Sequence, residues 1–461
     1  MFGCSSCPPP EPEGSSSSSA GALLGSIGLS SCSLIHMLGL GLLLLALLAG
    51  CASTDEMHDE QASETDASPL RPTLAPTDTT VHTIQLYQSN DERALPIISM
   101  DAGNQLTLAF DLLTEDGRPL SVYFFHADRS WQRDLSPSQY MEGFIDDAVL
   151  DYRPSRGTDV PYMHYRYQFP NDTIGFTVSG NYIVRVTEQG RRNDVLFERA
   201  FYVTEQRASG QIDIEGLRRP GQPLPLQQPS LLFTPPADLR GNPFGYTVCF
   251  ARNGLREAPR CSERPLLSEQ PALAFELDRA SAYAPTTAPN VVDLSNLRTS
   301  RSIAHVDRTR RPPRIEIEPD DARFLGEDRF DPLDGQTLVR AALRQLSDPE
   351  VSAQYVDVQF TLRPPEPAAS RRDVFLTGPF LHSDEGLRMS WDATTASYVA
   401  TARMKQGMHE YSYRSTDPDL QSLLQEQLMR RENRYITFVY YRDASLGTDR
   451  LLHVQTARSR F

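Results

Sequence analysis

The chain has 461 residues and a formal net charge of −15, a balance that argues against a nucleic-acid partner, because phosphate binding needs clustered basic surface that releases counterions. Its length allows about three domains of ordinary size. Among 45 basic residues Lys405 is the single lysine; an acidic, lysine-poor surface stays solvated in salt, which bears on habitat rather than on activity.

The N-terminal stretch sets the compartment. Leu34 to Ala49 is an almost unbroken apolar run, short for a membrane span but suited to the core of a signal peptide. It ends in Leu48-Ala49-Gly50-Cys51, a lipobox, in which small residues fit the signal peptidase and the cysteine thiol receives a diacylglycerol. Residues 1–50 are therefore expected to be a lipoprotein signal peptide, with Cys51 as the lipidated residue. The segment before the run departs from the usual pattern, carrying Glu11 and Glu13 and no lysine or arginine. Residues 51–80 are polar and spaced by Pro69, Pro72 and Pro76, which predicts a disordered, extended tether. Two or three acyl chains, at about 0.8 kcal/mol per buried methylene, would make attachment to the outer membrane lasting.

The folded part reads as short strands. In the first unit, 81–205, Thr83 to Tyr87 and Gln105 to Phe110 alternate, Val122 to Phe125 begins a third strand, and Tyr165, Tyr167 and Phe169 share one face of a fourth. Period-two alternation marks the strands of a half-buried sheet. Gly180 followed by Tyr182 is similar to the tyrosine corner of immunoglobulin-like sandwiches, and Val195 to Val203 supplies a closing strand.

A middle sandwich is expected over 206–366, with strands near Tyr246–Ala251, Ile315–Ile317 and Tyr355–Leu362. Within it Arg301, Arg308, Arg310, Arg311 and Arg314 cluster around Pro312 and Pro313; such a stretch either grips an acidic partner or is a solvated loop. Cys249 and Cys261 are the cysteines that follow Cys51, and an even pair in an oxidising space predicts a structural disulfide. Beyond Pro364-Pro365-Glu366-Pro367 a C-terminal sandwich is expected over 367–461. Leu420, Leu423, Leu424 and Leu428 fall at helical spacing, making 419–431 the one helix candidate.

No phosphate-cradling glycine loop, zinc signature or nucleophile elbow occurs after Cys51. The histidines are scattered singly. His126 and Asp128 share a strand face without an evident third metal ligand, and Asp146-Asp147 reads as a turn with two solvated carboxylates. No catalytic residue, cofactor or metal is predicted, so the fold class is all-β, a string of immunoglobulin-like sandwiches acting without catalysis.

Longer stretches resemble a family. Pro96-Ile97-Ile98, Leu106 to Leu112, Trp131, and Leu135 through Phe144 are similar in order and spacing to the N-terminal domain of the plug proteins of the type IX secretion system. The similarity continues through Val160-Pro161-Tyr162-Met163-His164-Tyr165 and Ser179-Gly180-Asn181-Tyr182, and the C-terminal unit resembles the same family at Val374 to Phe380, Tyr411 to Tyr413 and Val439 to Arg442. The resemblance implies a periplasmic body that docks against an outer-membrane translocon barrel and occludes its pore while idle. Aromatic anchors usually carry such docking, which points to Trp131, Tyr140 and Phe144 as partner-interface candidates. The acidic residues Asp55, Glu56, Asp59 and Glu60 resemble surface-export signals, so either face of the membrane stays open, with the periplasmic one favoured by the plugging geometry. The alternative is a glycan-binding lipoprotein. The C-terminal unit is similar to glycogen-binding sandwiches at Gly378 and Phe380, but that family's stacking tryptophan would fall near Ser383.

Overall fold

The computed structural model describes residues 70–218, 225–267, 272–284, 289–322, 331–342, 348–365, 373–425 and 433–459. Cys51 lies outside them, as do the signal peptide and most of the tether.

The first sandwich packs two main sheets. One runs in the order Val81–Gln88, Leu106–Leu112, Met163–Phe169, Asp151–Pro154; the other in the order Ile97–Ser99, Val195–Thr204, Gly180–Glu188, Leu120–Ala127, Asp146–Val149. Phe110, Phe124, Phe169, Tyr182 and Phe201 are buried between them, and ring contacts such as Phe124 to Phe169, with centroids 4.8 Å apart, link the two layers. Aromatic pairs of this kind add about 0.5–1.5 kcal/mol each beyond their buried area. The Tyr182 hydroxyl donates to the Val178 carbonyl at 2.5 Å, closing the corner at the start of its strand. Gly180 has φ +155°, and a Cβ there would lie 2.4 Å from His126 Nε2, so only glycine fits.

One expectation fails in an informative way. Leu106–Leu112 is not half-buried: every residue in it is buried. Alternation describes a strand with one wet face, whereas here the second face is covered by another part of the chain.

The second sandwich pairs the sheet Ser209–Leu217, Leu226–Thr234, Leu273–Glu276, Leu266–Leu267 with the sheet Arg260–Ser262, Tyr246–Arg252, Arg434–Asp443, Thr448–Arg458. Phe233, Phe250, Phe275, Tyr435 and Val439 form its core. Cys249 and Cys261 face each other in register across neighbouring strands and are disulfide-bonded.

The third sandwich combines Asn290–Asp293, Gly407–Ser415, Val374–Thr377 and Leu387–Arg388 with Ile303–Asp307, Arg314–Ile317, Tyr355–Arg363, Ser397–Lys405 and Ser390–Asp392. Helix Pro418–Gln425 buries Leu420 and Leu424 in its core. The remainder of the expected helix, 426–431, lies outside the described residues.

The partition at 366/367 therefore does not follow the sheets. Tyr246–Arg252 pairs with Arg434–Asp443 through seven residues in register, Tyr246 opposite Tyr441 to Arg252 opposite Tyr435. The third sandwich is inserted into the second, whose last two strands come from the chain's C-terminal end. Arg301 to Arg314 spans a hairpin whose connecting loop, 308–311, is exposed, with Arg308 donating to the Leu297 carbonyl and Arg310 paired with Asp307.

Candidate functional site

The first sandwich is joined to the second by an apolar contact. Trp131 is only 8 % exposed. It packs edge-on against Tyr202, with centroids 5.5 Å apart, and Tyr202 in turn lies 4.7 Å from Phe438 of the second sandwich. The Tyr440 hydroxyl donates to Asn181 Oδ1 at 2.8 Å across the same joint.

Its joint to the third sandwich is polar. Lys405, the lone lysine, is 1 % exposed, and its Nζ donates to Asp111 Oδ2 and to the Glu350 carbonyl, each at 2.6 Å. The ammonium also lies 4.3 Å from the centroid of the Tyr162 ring. The Tyr355 hydroxyl donates to Asp111 Oδ2 at 2.7 Å, and His164 Nδ1 meets Asp111 Oδ1 at 2.7 Å. His164 Nε2 lies 3.5 Å from Glu350 Oε2. Asp111 is thus the point that the wholly buried strand Leu106–Leu112 presents to its neighbour.

Burial pushes the Asp111 carboxyl up, but Lys405 and His164 outweigh it and hold the carboxyl below its ordinary value. Burial pulls His164 down, yet its hydrogen bond to Asp111 and the nearby Glu350 carboxylate raise it overall. The approach of His164, ahead of the opposing burial, brings Glu350 down to about 2. A lysine, a histidine and a carboxylate at such distances could do acid–base chemistry if a substrate reached them. None of Asp111, His164 or Lys405 lines the large cavity of the molecule. Their partners are one another, and their effect is to fasten two sandwiches.

The three aromatic candidates separate on exposure. Trp131 belongs to the apolar joint, and Tyr140 is 1 % exposed with its hydroxyl donating to the Phe124 carbonyl at 2.8 Å. Tyr140 is thus a core residue, and Trp131 lies in the joint between sandwiches rather than on the outer surface. Phe144 is 70 % exposed. It follows a one-turn helix, Pro137–Tyr140, whose start is closed by reciprocal hydrogen bonds between Ser136 and Gln139. It also follows Gly143, whose φ of +96° and approach to the Thr173 carbonyl exclude a side chain. That turn throws Phe144 and Ile145 outward.

The chain then forms two edge strands in succession, Asp146–Val149 at the end of one sheet and Asp151–Pro154 at the end of the other. One flank of the sandwich therefore carries Ile145, Leu150 and Tyr152 with Phe144, at 52 %, 82 %, 40 % and 70 % exposure. Exposed apolar side chains gathered on sheet edges mark an interaction surface. Ile145, Leu150 and Tyr152 escaped the sequence reading; the signal was an apolar residue on each side of the acidic pair Asp146-Asp147.

His126 is buried, with Nδ1 2.8 Å from Asp134 Oδ1 and Nε2 3.3 Å from the Ser179 carbonyl. Among the described residues no three His, Cys, Asp or Glu side chains form a group that could hold a metal ion, and no helix is long and apolar enough to cross a membrane. In the third sandwich Trp391 packs edge-on against Tyr398 and Phe380 stacks on Phe360.

Residues 81–205, which coincide with the first sandwich, match the family model of the type 9 secretion system plug protein 1st domain. The chain carries a plug-protein first domain. Its joints, its flank and its tyrosine corner are thus features of a plug-family sandwich in an all-β chain tied to type IX secretion and to the cell envelope. A solved structure of a hypothetical protein from Parabacteroides merdae ATCC 43184 aligns over 84 % of this chain and 99 % of that one, with a TM-score of 0.73 at 24 % identity. The two share a fold. A structure of alpha-2-macroglobulin from E. coli aligns over 83 % of this chain and 22 % of that one at 11 % identity, and its TM-score of 0.19 carries no argument. No curated protein matches the sequence.

Proposed function

We propose that this protein is a non-catalytic plug of the type IX secretion translocon, seated against the outer-membrane barrel from the periplasmic side and closing the channel when no substrate is engaged. The observation that carries the reading is the plug-family first domain over 81–205. The architecture supports it physically. Occluding a pore requires a body that resists deformation, and the first sandwich is fastened on two sides, by the Trp131 joint and by the Asp111–Lys405 joint. The flank of Phe144, Ile145, Leu150 and Tyr152 is the docking face in this reading, since large apolar anchors supply most of the energy of such contacts. Acylation of Cys51 would keep the plug near its barrel and raise its local concentration there.

The test is deletion of the gene in its native host, followed by measuring entry of a large hydrophilic dye or antibiotic that the intact outer membrane excludes. Increased entry, reversed by the wild-type chain and not by Leu150→Asp, is the expected result. Unchanged permeability would overturn the plugging role. Cys51→Ser should release the protein into the soluble periplasmic fraction and abolish radiolabelled palmitate incorporation; unaltered membrane retention would remove the anchor from the proposal.

A further inference from the structure

Where the three sandwiches meet, a cavity of about 870 Å³ opens, a size at which pockets take drug-sized ligands or a short peptide. Trp131 and Tyr202 contribute from the first sandwich, Leu255 and Arg256 from the second, and Glu410 from the third. The extended segment 70–77 forms part of its lining, with Leu74 packed against the Trp131–Tyr202 cluster and the Ala75 amide donating to Glu198 Oε2 at 2.8 Å.

The wall carries the carboxylates of Glu257, Asp334, Asp384 and Glu385 as well as Glu410, yet two of its cations have no carboxylate in contact among the described residues. Arg199 donates to the Glu198 carbonyl at 2.7 Å, but among the described residues no carboxylate lies within ion-pair distance of it, and none does of Arg256. The Glu198 carboxylate beside Arg199 is already taken by Arg133 at 2.8 Å and Arg185 at 2.7 Å. Burial pulls Arg199 down to about 10, still charged at neutral pH, with Asp384 attracting it from beyond contact and Arg256 opposing. Burial lowers Arg256 as well, against the pull of Asp384 and Glu410. Glu410 cannot serve as its partner, because it is held by the backbone amides of Leu333 and Gly335, and burial raises it to about 7. Other arginines of the molecule show the contrast: Arg153 and Arg166 share Glu350, and Arg450 pairs with Glu205 and Asp443. A desolvated guanidinium without an anion is costly, and a charge-assisted hydrogen bond from a carboxylate removes the cost.

We propose that this cavity binds an acidic peptide segment, one carboxylate lying between Arg199 and Arg256 while neighbouring apolar side chains pack against Trp131 and Leu255. A peptide suits the wall better than the other anions. Bare phosphate would leave most of the volume and the apolar surface unused. A fatty acid would need a dry tube, whereas Asn253, Gln336, Ser383 and Ser412 also line this space. The wall already accommodates extended backbone at 70–77.

The chain has two tryptophans, so Trp391→Phe in the otherwise intact mature protein makes Trp131 emission a local reporter. The probe is an acetylated, amidated pentapeptide alternating leucine and glutamate, with the glutamine version, octanoate and inorganic phosphate as comparators. The expected result is a saturable change in Trp131 emission with the glutamate peptide and at least tenfold weaker binding of the glutamine peptide. Arg199→Met and Arg256→Met, shown to be folded by circular dichroism, should each weaken the glutamate peptide by a similar factor. Equal binding of the two peptides, or indifference to both substitutions, would overturn the proposal. Octanoate or phosphate binding as tightly as the peptide would overturn the ligand class. The peptide comparison uses no arginine variant, so misfolding of either variant leaves the proposal open to refutation.

Discussion

The first sandwich meets the second around the apolar cluster of Trp131, Tyr202 and Phe438, flanked by the Tyr440–Asn181 hydrogen bond and the Arg129–Asp449 pair, and the third around Asp111, His164 and Lys405; apolar packing is at the centre of one joint, buried charge at the centre of the other. Apolar contact is non-directional, so the first joint tolerates small displacements. The second fixes a position, because buried ions are tolerable only while each partner stays in place. Together they give the plug-family sandwich a defined seat on the rest of the chain, and they leave its flank at Phe144 and Leu150 as the surface without internal employment.

The difference between the joints can be broken most forcefully at Lys405. Lys405→Met leaves Asp111 buried without its cation and should cost about 4 kcal/mol in urea unfolding. The double variant with Asp111→Leu should recover part of that loss. An amine-reactive reagent should modify Lys405 in denaturant but not in the native protein, and rapid native labelling would show the charged joint to be open. Trp131→Ala tests the other joint by leaving a cavity, with a loss of about 3 kcal/mol in the same measurement and no change in the pH dependence. The disulfide joins Cys249, which sits in the apolar cluster, to Cys261 twelve residues on. Replacing both with serine should cost about 3 kcal/mol in the chain-entropy model, read as a lower Tm.

Acid separates the joints more finely. The Glu350 carboxyl sits at about 2 against an ordinary 4.5. A depressed carboxylate stabilises fully above the unfolded value, and that contribution is lost as pH falls from about 4.5 towards 2, by roughly 2 kcal/mol after allowing for its partial exposure. Hydrogen-exchange protection factors around Lys405 and Tyr355, corrected for the intrinsic rate at each pH, should therefore fall below about pH 4.5 before those around Phe438, and Glu350→Gln should flatten the response. The smallest stability effect belongs to the flank. Phe144→Asp and Leu150→Asp should stay within about 0.5 kcal/mol of wild type, while losing crosslinks to the translocon; a larger drop in Tm would mean that the flank is packed after all.

Much of the first sandwich was legible because its signals are local. Alternation at Gln105 to Phe110 and the Gly180/Tyr182 pair each specify backbone within a few residues. Burial was not legible: Trp131, Tyr140 and Phe144 look alike as aromatic positions, yet one lies in a joint, one in a core and one in solvent. The charged joint had a faint signal, since a single lysine among 45 basic residues is a position where arginine has not been used, as a compact ammonium between a carboxylate and two tyrosine rings would require.

By itself the sequence determined that short β-strands stack into sandwiches, since strand propensity and turn residues act over a few residues. Only the tertiary structure decided that Arg434–Asp443 completes the sandwich begun by Tyr246–Arg252, and that Asp111, from the first sandwich, meets Lys405 of the third. Pairings across such separations depend on which buried faces fit and on which charges find partners, and no local pattern encodes either.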